Sequence, residues 1–196
     1  MRVVIATLIA LTLFIVPAYA QQYWNLSNVY NATSNVYYMY SGTPTLASGS
    51  KSVDIPPNGY AIWVANQSAQ VDVTFPAATW IVYLEGNVKG GSTGNITIHV
   101  GVWDGTTFTS YGDITITGVS FPTTAYVSVS SFTVPKGCRL ALKIDNIGTT
   151  TVSIKVVKGK TYSYLEYPSD FPPYPIPEVA TFALVLAGIV AIRNRI

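Results

Sequence analysis

Between residues 21 and 166 apolar and polar side chains alternate in short runs, and no window of eleven or more residues keeps a helical period. A period of two places successive side chains on opposite faces of a strand. The pattern predicts strands at 36–40, 60–65, 70–75, 80–88, 95–103, 106–110, 113–117, 125–134, 138–145 and 150–157. Turn-forming pairs and triplets separate them, among them Pro57-Asn58-Gly59, Gly90-Gly91, Asp104-Gly105, Lys136-Gly137 and Asn146-Ile147-Gly148. Short, evenly spaced strands of this kind predict an all-β fold, an antiparallel β-sandwich with jelly-roll-like layout. Residues 21–40 are polar and aromatic, and alternation strengthens only from Val36.

The clearest local unit is 95–110, where Asp104-Gly105 signals a two-residue hairpin turn. In that register Trp103 faces Thr106, Gly101 faces Phe108 and His99 faces Ser110. Ile96, Ile98, Val100 and Val102 share one face, the expected core side, which leaves His99, Trp103 and Phe108 on the other. These three are the candidate ligand-binding residues, unless another strand or the N-terminal segment covers them. In the strand at 138–145, Cys138, Leu140, Leu142 and Ile144 fall on one side. Arg139, Lys143 and Asp145 fall on the other. Cys138 therefore reads as a small buried hydrophobe.

Both ends depart from the alternating pattern. Residues 1–20 combine Arg2, an apolar run from Val3 to Val16 and the ending Ala18-Tyr19-Ala20, which reads as a secretory signal peptide. Five prolines between Pro168 and Pro177 predict an extended spacer over 167–178, after a β-sandwich ectodomain at 21–166. Residues 179–196 hold an uncharged apolar run from Val179 to Ile192 followed by Arg193 and Arg195. As a helix that run is a short membrane segment, and the arginines fall on the cytoplasmic side by the positive-inside rule. The order of Pro177-Glu178, apolar segment and Arg193/Arg195 resembles the C-terminal sorting tails of bacterial exosortase and archaeal archaeosortase substrates. That resemblance covers about the last twenty residues. It implies a temporary anchor cut near Pro177-Glu178, with transfer to a lipid or another surface component. A plain single-span anchor is the alternative, and either places the folded part outside the cell, held at the membrane or envelope.

Charge and residue counts narrow the chemistry. Only 10% of residues are charged and the net charge is +2, so there is no concentrated basic surface for nucleic acid. One Cys excludes an internal disulfide and one His excludes a polyhistidine metal centre. No cofactor motif occurs. A Cys138–His99 dyad is opposed by the faces the two residues occupy, and a serine triad built on His99 has no G-x-S-x-G elbow. No catalytic residue is expected. Four N-glycosylation acceptors stand at Asn25, Asn31, Asn66 and Asn95.

The expectation is thus an anchored, non-catalytic surface glycoprotein for adhesion or envelope structure, whose partners are the membrane and a cell-envelope glycan or protein. A second reading is a self-assembling filament or matrix subunit in which residues 21–40 complete the sheet of the next copy. In layout this resembles the camelysin-type secreted jelly-roll fibre proteins. A secreted glycoside hydrolase is a third, since such chemistry needs only two suitably spaced carboxylates.

Overall fold

The computed structural model describes residues 22–49, 51–91, 93–158, 161–168 and 174. The signal peptide, the apolar tail and the sorting residues Pro177, Glu178, Arg193 and Arg195 lie outside them. All regular structure among the described residues is strand. In chain order the strands are β1 Gln22–Asn31, β2 Val36–Tyr40, β3 Ser52–Ile55, β4 Tyr60–Ala65, β5 Val73–Phe75, β6 Ala78–Val88, β7 Gly94–Trp103 and β8 Phe108–Val119. They continue as β9 Thr123–Val129, β10 Phe132–Val134, β11 Arg139–Asn146, β12 Val152–Lys155, β13 Val157–Lys158, β14 Thr161–Tyr162 and β15 Tyr164–Tyr167.

One ribbon runs β3-β12-β6-β15-β1-β2-β4-β11-β7-β8, with β9 on β6 and small two-stranded sheets formed by β5 with β10 and β13 with β14. Pairing is antiparallel except for β2 on β4. The arrangement is sandwich-like. Its inner faces meet in a core that joins Trp24, Trp63, Trp80, Val82, Ile98, Val127, Leu142 and Leu165. Period-two burial is what makes this possible: in β7, Ile96, Ile98 and Val100 are wholly buried and Val102 nearly so, while the residues between them turn outward.

The largest departure from the alternation pattern is β1. Residues read as a segment able to leave its own domain form a strand between β15 and β2, pairing Trp24 with Leu165 and Leu26 with Met39. Only Trp24 and Leu26 carry the inward pattern before the register shifts between Leu26 and Tyr30. The Ser27 hydroxyl fills that irregularity, accepting from Val29 N at 3.0 Å and donating to Thr45 O. A strand interrupted so early shows little periodicity.

Tyr167 and Tyr174, within the expected spacer, are both held by the body. Tyr167 ends β15 and is buried. Tyr174 is 1% exposed, with its ring 5.5 Å from that of Trp24. Gln22 at the start of β1 clasps its backbone: Nε2 donates to Tyr174 O at 2.6 Å, and Tyr174 N donates to Oε1 at 3.0 Å.

Candidate functional site

The outer face of β7 carries the residues that the alternation singles out, but in a different register from a two-residue turn. Asp104 explains the difference. Its Oδ1 accepts from Thr106 N at 2.8 Å and Thr107 N at 2.7 Å, and Asp104 N donates to Thr107 O. These bonds hold a four-residue loop at 104–107, with Gly105 at φ +111°, a conformation that suits a residue without Cβ. Trp103 therefore faces Phe108, Gly101 faces Ser110 and His99 faces Asp113. A register shift between Val100 and Gly101 leaves Tyr111 as the extra residue on β8.

Donation from Thr107 and Thr106 holds the Asp104 carboxyl below its ordinary value of 3.8. A depressed folded-state value means that the stabilisation is complete above the ordinary value and is lost as pH falls through the depressed one. Asp104→Ala is therefore expected to speed amide exchange at Thr106 and Thr107 at neutral pH. In the wild type the same amides open on acidification below about pH 4. Hydrogen exchange followed by NMR checks both.

Trp103 is 8% exposed and belongs to a small outer cluster with Val36, Ile62, Val64 and Ala141, flanked by Tyr38 and Phe108. Val36 and Tyr38 of the N-terminal hairpin, in the same sheet, pack against it, so the aromatic patch is partly covered. Asn31 Oδ1 shapes that hairpin by accepting from Thr33 N and Ser34 N, at 3.0 and 3.3 Å. Beside the covered part lies an open cleft of about 450 Å3 lined by Tyr60, Ile62, Trp103, Phe108 and Lys143. A pocket of about 120 Å3 shares Trp103 and Ser34 with it and reaches Arg139. The cleft alone is within the usual range for small-molecule sites, roughly 300–1,000 Å3.

Arg139 and Lys143 are the charged residues lining the two cavities. Arg139 Nη1 donates to Ala65 O at 2.6 Å, and its guanidinium sits 6.0 Å from the Tyr38 ring centre. A guanidinium has five N–H donors, so this bond leaves others for a ligand. Lys143 Nζ sits 5.0 Å from the Tyr60 ring centre and 2.8 Å from Asp145 Oδ1.

Past the Phe108 and Lys143 wall the outer face gathers three more groups. Lys143 pairs across strands with His99. His99 Nε2 is 2.8 Å from Asp145 Oδ2, and His99 Nδ1 is 3.5 Å from Ser110 Oγ. The Ser110 hydroxyl also lies 3.3 Å from Gly112 O. The His99 ring meets Phe108 edge-on at 6.4 Å. Sequence reasoning placed His99 on this face without seeing Asp145 as its partner, because β7 and β11 become neighbours only through the sheet order.

The remaining candidates lie elsewhere. Cys138 is half-buried at the edge of the core, and burial raises its thiol above its ordinary value. Asn25, Asn31, Asn66 and Asn95 are all half-buried. The Asn25 and Asn31 amides donate to Gly42 O and Tyr38 Oη, and Asn95 Oδ1 accepts from Gly118 N. Among the described residues no three His, Cys, Asp or Glu converge as a metal site, and no helix is long and apolar enough to cross a membrane.

No family model matches the sequence, and no curated protein matches it. Solved structures do match the fold. An α-amino acid ester hydrolase shares it with a TM-score of 0.54 and 10% identity, over 74% of this chain and 35% of that one. A CocE/NonD family hydrolase from Staphylococcus aureus shares it with a TM-score of 0.52 and 10% identity, over 78% of this chain and 37% of that one. The chain thus spans little more than a third of the length of the hydrolases it matches. At such identity the likeness shows the fold alone. It corrects the expectation of an adhesive or envelope-building glycoprotein, and with it the filament and glycoside hydrolase alternatives, because this fold occurs within proteins named as other hydrolases.

Proposed function

We propose that the chain is a binding module whose Trp103 cleft takes a small aromatic carboxylate or its ester. The observation that carries this is an indole wall shared by the cleft, which Lys143 lines, and the smaller adjoining pocket, which Arg139 lines, neither lining holding an acidic side chain. A flat apolar ring gains contact area against Trp103 and Phe108, and a carboxylate gains charge-assisted bonds from Lys143 in the cleft or from Arg139 in the adjoining pocket. The same charges disfavour an ammonium group in the cleft. An α-amino acid ester, which the name of the matched enzyme would suggest, therefore suits it less well.

The finer reading of the fold is a jelly roll. Crossovers that set β1 beside β15, β4 beside β11 and β12 between β3 and β6 support it. The module is exported by residues 1–20 and held outside the membrane by residues 179–196, a placement supported by the pattern of those segments.

Fluorescence tests the cleft directly. Trp24, Trp63 and Trp80 are wholly buried, whereas Trp103 touches the cleft. Benzoate is expected to change the emission of the wild-type chain with a Kd of about 1 mM, roughly −4 kcal/mol. Benzylamine is expected to leave it unchanged, and Trp103→Phe removes the response. Equal responses to the acid and the amine, or none to the acid, would overturn the reading.

A further inference from the structure

We infer that His99 sets the charge of the Trp103 cleft: when its ring takes up a proton, Lys143 is released from Asp145 and the cleft holds an aromatic carboxylate more tightly. The inference deepens the cleft reading, on which it rests, by naming Lys143 as the cation that meets the acid and pH as its control.

Lys143 reaches the cleft as half of an ion pair. It lines the cleft, yet its Nζ stands 2.8 Å from Asp145 Oδ1, and Asp145 is not part of the lining. The other carboxylate oxygen, Oδ2, is 2.8 Å from His99 Nε2. One carboxylate therefore serves two cations when the ring is charged and one when it is neutral. The Asp145 and His99 side chains are 24% and 21% exposed, so water screens these charges only in part.

The surroundings of His99 accommodate a charged ring. Nε2–H donates to Asp145 Oδ2. Nδ1 lies 3.5 Å from Ser110 Oγ, and the Ser110 hydroxyl donates to Gly112 O at 3.3 Å. With that proton turned to Gly112, the Ser110 oxygen offers a lone pair to Nδ1–H. Both N–H groups of an imidazolium thus meet acceptors already in place. An imidazole in ordinary surroundings changes charge between about pH 5 and 8.

Three strands bring the other polar groups that face the ring and its partner. From β11 come Asp145 and Lys143, the latter directly opposite His99. From β8 come Ser110 and the exposed Asp113, also opposite His99. From β4 comes Tyr60, opposite Asp145, with its ring 5.0 Å from Lys143 Nζ. With a neutral ring the two aspartates outweigh the lysine by one negative charge, and uptake of one proton cancels that excess.

A ligand carboxylate at Lys143 competes with Asp145 for the same ammonium and is repelled by its charge. An imidazolium on the far side of Asp145 offsets that charge and leaves Lys143 to the ligand. Arg139 stands four residues back along β11, about 13 Å at the spacing of a strand. That exceeds the screening length of about 8 Å at physiological salt, so a carboxylate held there is insulated from His99.

The test is a benzoate titration of the full chain, followed by Trp103 fluorescence at about pH 5.5 and about pH 8, which bracket the ordinary imidazole range. Benzoate is ionised at both, since carboxylates ordinarily titrate near pH 4. Its Kd is expected to be about fivefold lower at the acid end, the small end of the usual coupling between sites. His99→Gln removes the difference and binds at both ends as the wild type does in alkali. Asp145→Asn tightens alkaline binding by about the same factor. The chain has a single histidine, so NMR follows its ring alone. Saturating benzoate is expected to raise the midpoint of that titration by about 0.7 pH unit, the same fivefold seen from the other side. This measurement needs no variant, so a folding defect does not touch it. Benzoate binding with one Kd at both ends, or an unmoved histidine midpoint, would overturn the inference and leave the cleft reading intact. No fluorescence response at either end would overturn both.

Discussion

Tyr174→Ala lowers the unfolding free energy by about 3–5 kcal/mol, the usual cost of deleting a buried aromatic ring. The ring lies among Trp24 at 5.5 Å and Phe75 at 6.4 Å. Its hydroxyl lies 3.3 Å from Leu140 N, 3.2 Å from Cys138 O and 3.3 Å from Gln67 O. Burial pushes the phenol up to about 12, so it stays protonated across the physiological range and serves as both donor and acceptor. Tyr174→Phe keeps the ring and loses the hydroxyl bonds, and is expected to cost about 1–2 kcal/mol. Urea unfolding followed by fluorescence separates the two. Equal, small losses for both variants would mean that the proline-rich stretch contributes little to the body.

Gly101→Ala is the second large effect, about 3 kcal/mol, at the upper end of the cost of overfilling a packed site. A Cβ at this position would stand 1.9 Å from Thr109 O and 3.0 Å from the tip of the Phe108 ring. The first neighbour is backbone, so no rotamer change relieves it, and β8 must move away from β7. The movement also carries Ser110 from His99. Gly42→Ala is the control: its Cβ meets nothing within 4 Å, and its effect should stay within about 0.5 kcal/mol. The comparison is made by urea midpoint at matched slope.

Much of the strand content was legible in the residue pattern. The inward row Ile96, Ile98, Val100 and Val102, and the outward row Arg139, Lys143 and Asp145, appear as read. Strand ends moved by a few residues, and the separate runs at 106–110 and 113–117 became the single strand β8. The bulge at Tyr111 accounts for the apparent break, since one extra residue inverts the alternation from there on. Strands β1, β3, β14 and β15 escaped notice because each has few inward side chains or an early irregularity.

The candidate site was half legible. His99, Trp103 and Phe108 do share the outer face, and the N-terminal segment does cover part of it. The missing half involved Asp145, Lys143 and Arg139. Their outward orientation could be read, but not the strand beside which they would lie. A likeness of fold at 10% identity carries no residue-level signal either.

What the sequence determined by itself is local: an all-strand body, the inner and outer rows of its longer strands, and the turn chemistry at 104–105. Alternation and turn preference act over neighbouring residues, so they survive in the one-dimensional record. Only the tertiary structure decided that β1 lies inside its own sheet, that Tyr174 docks against Trp24, and that Asp145 and Ser110 close on His99 from opposite sides. Those pairings join residues far apart along the chain. They are selected by how the whole core packs, through contacts that no local pattern specifies.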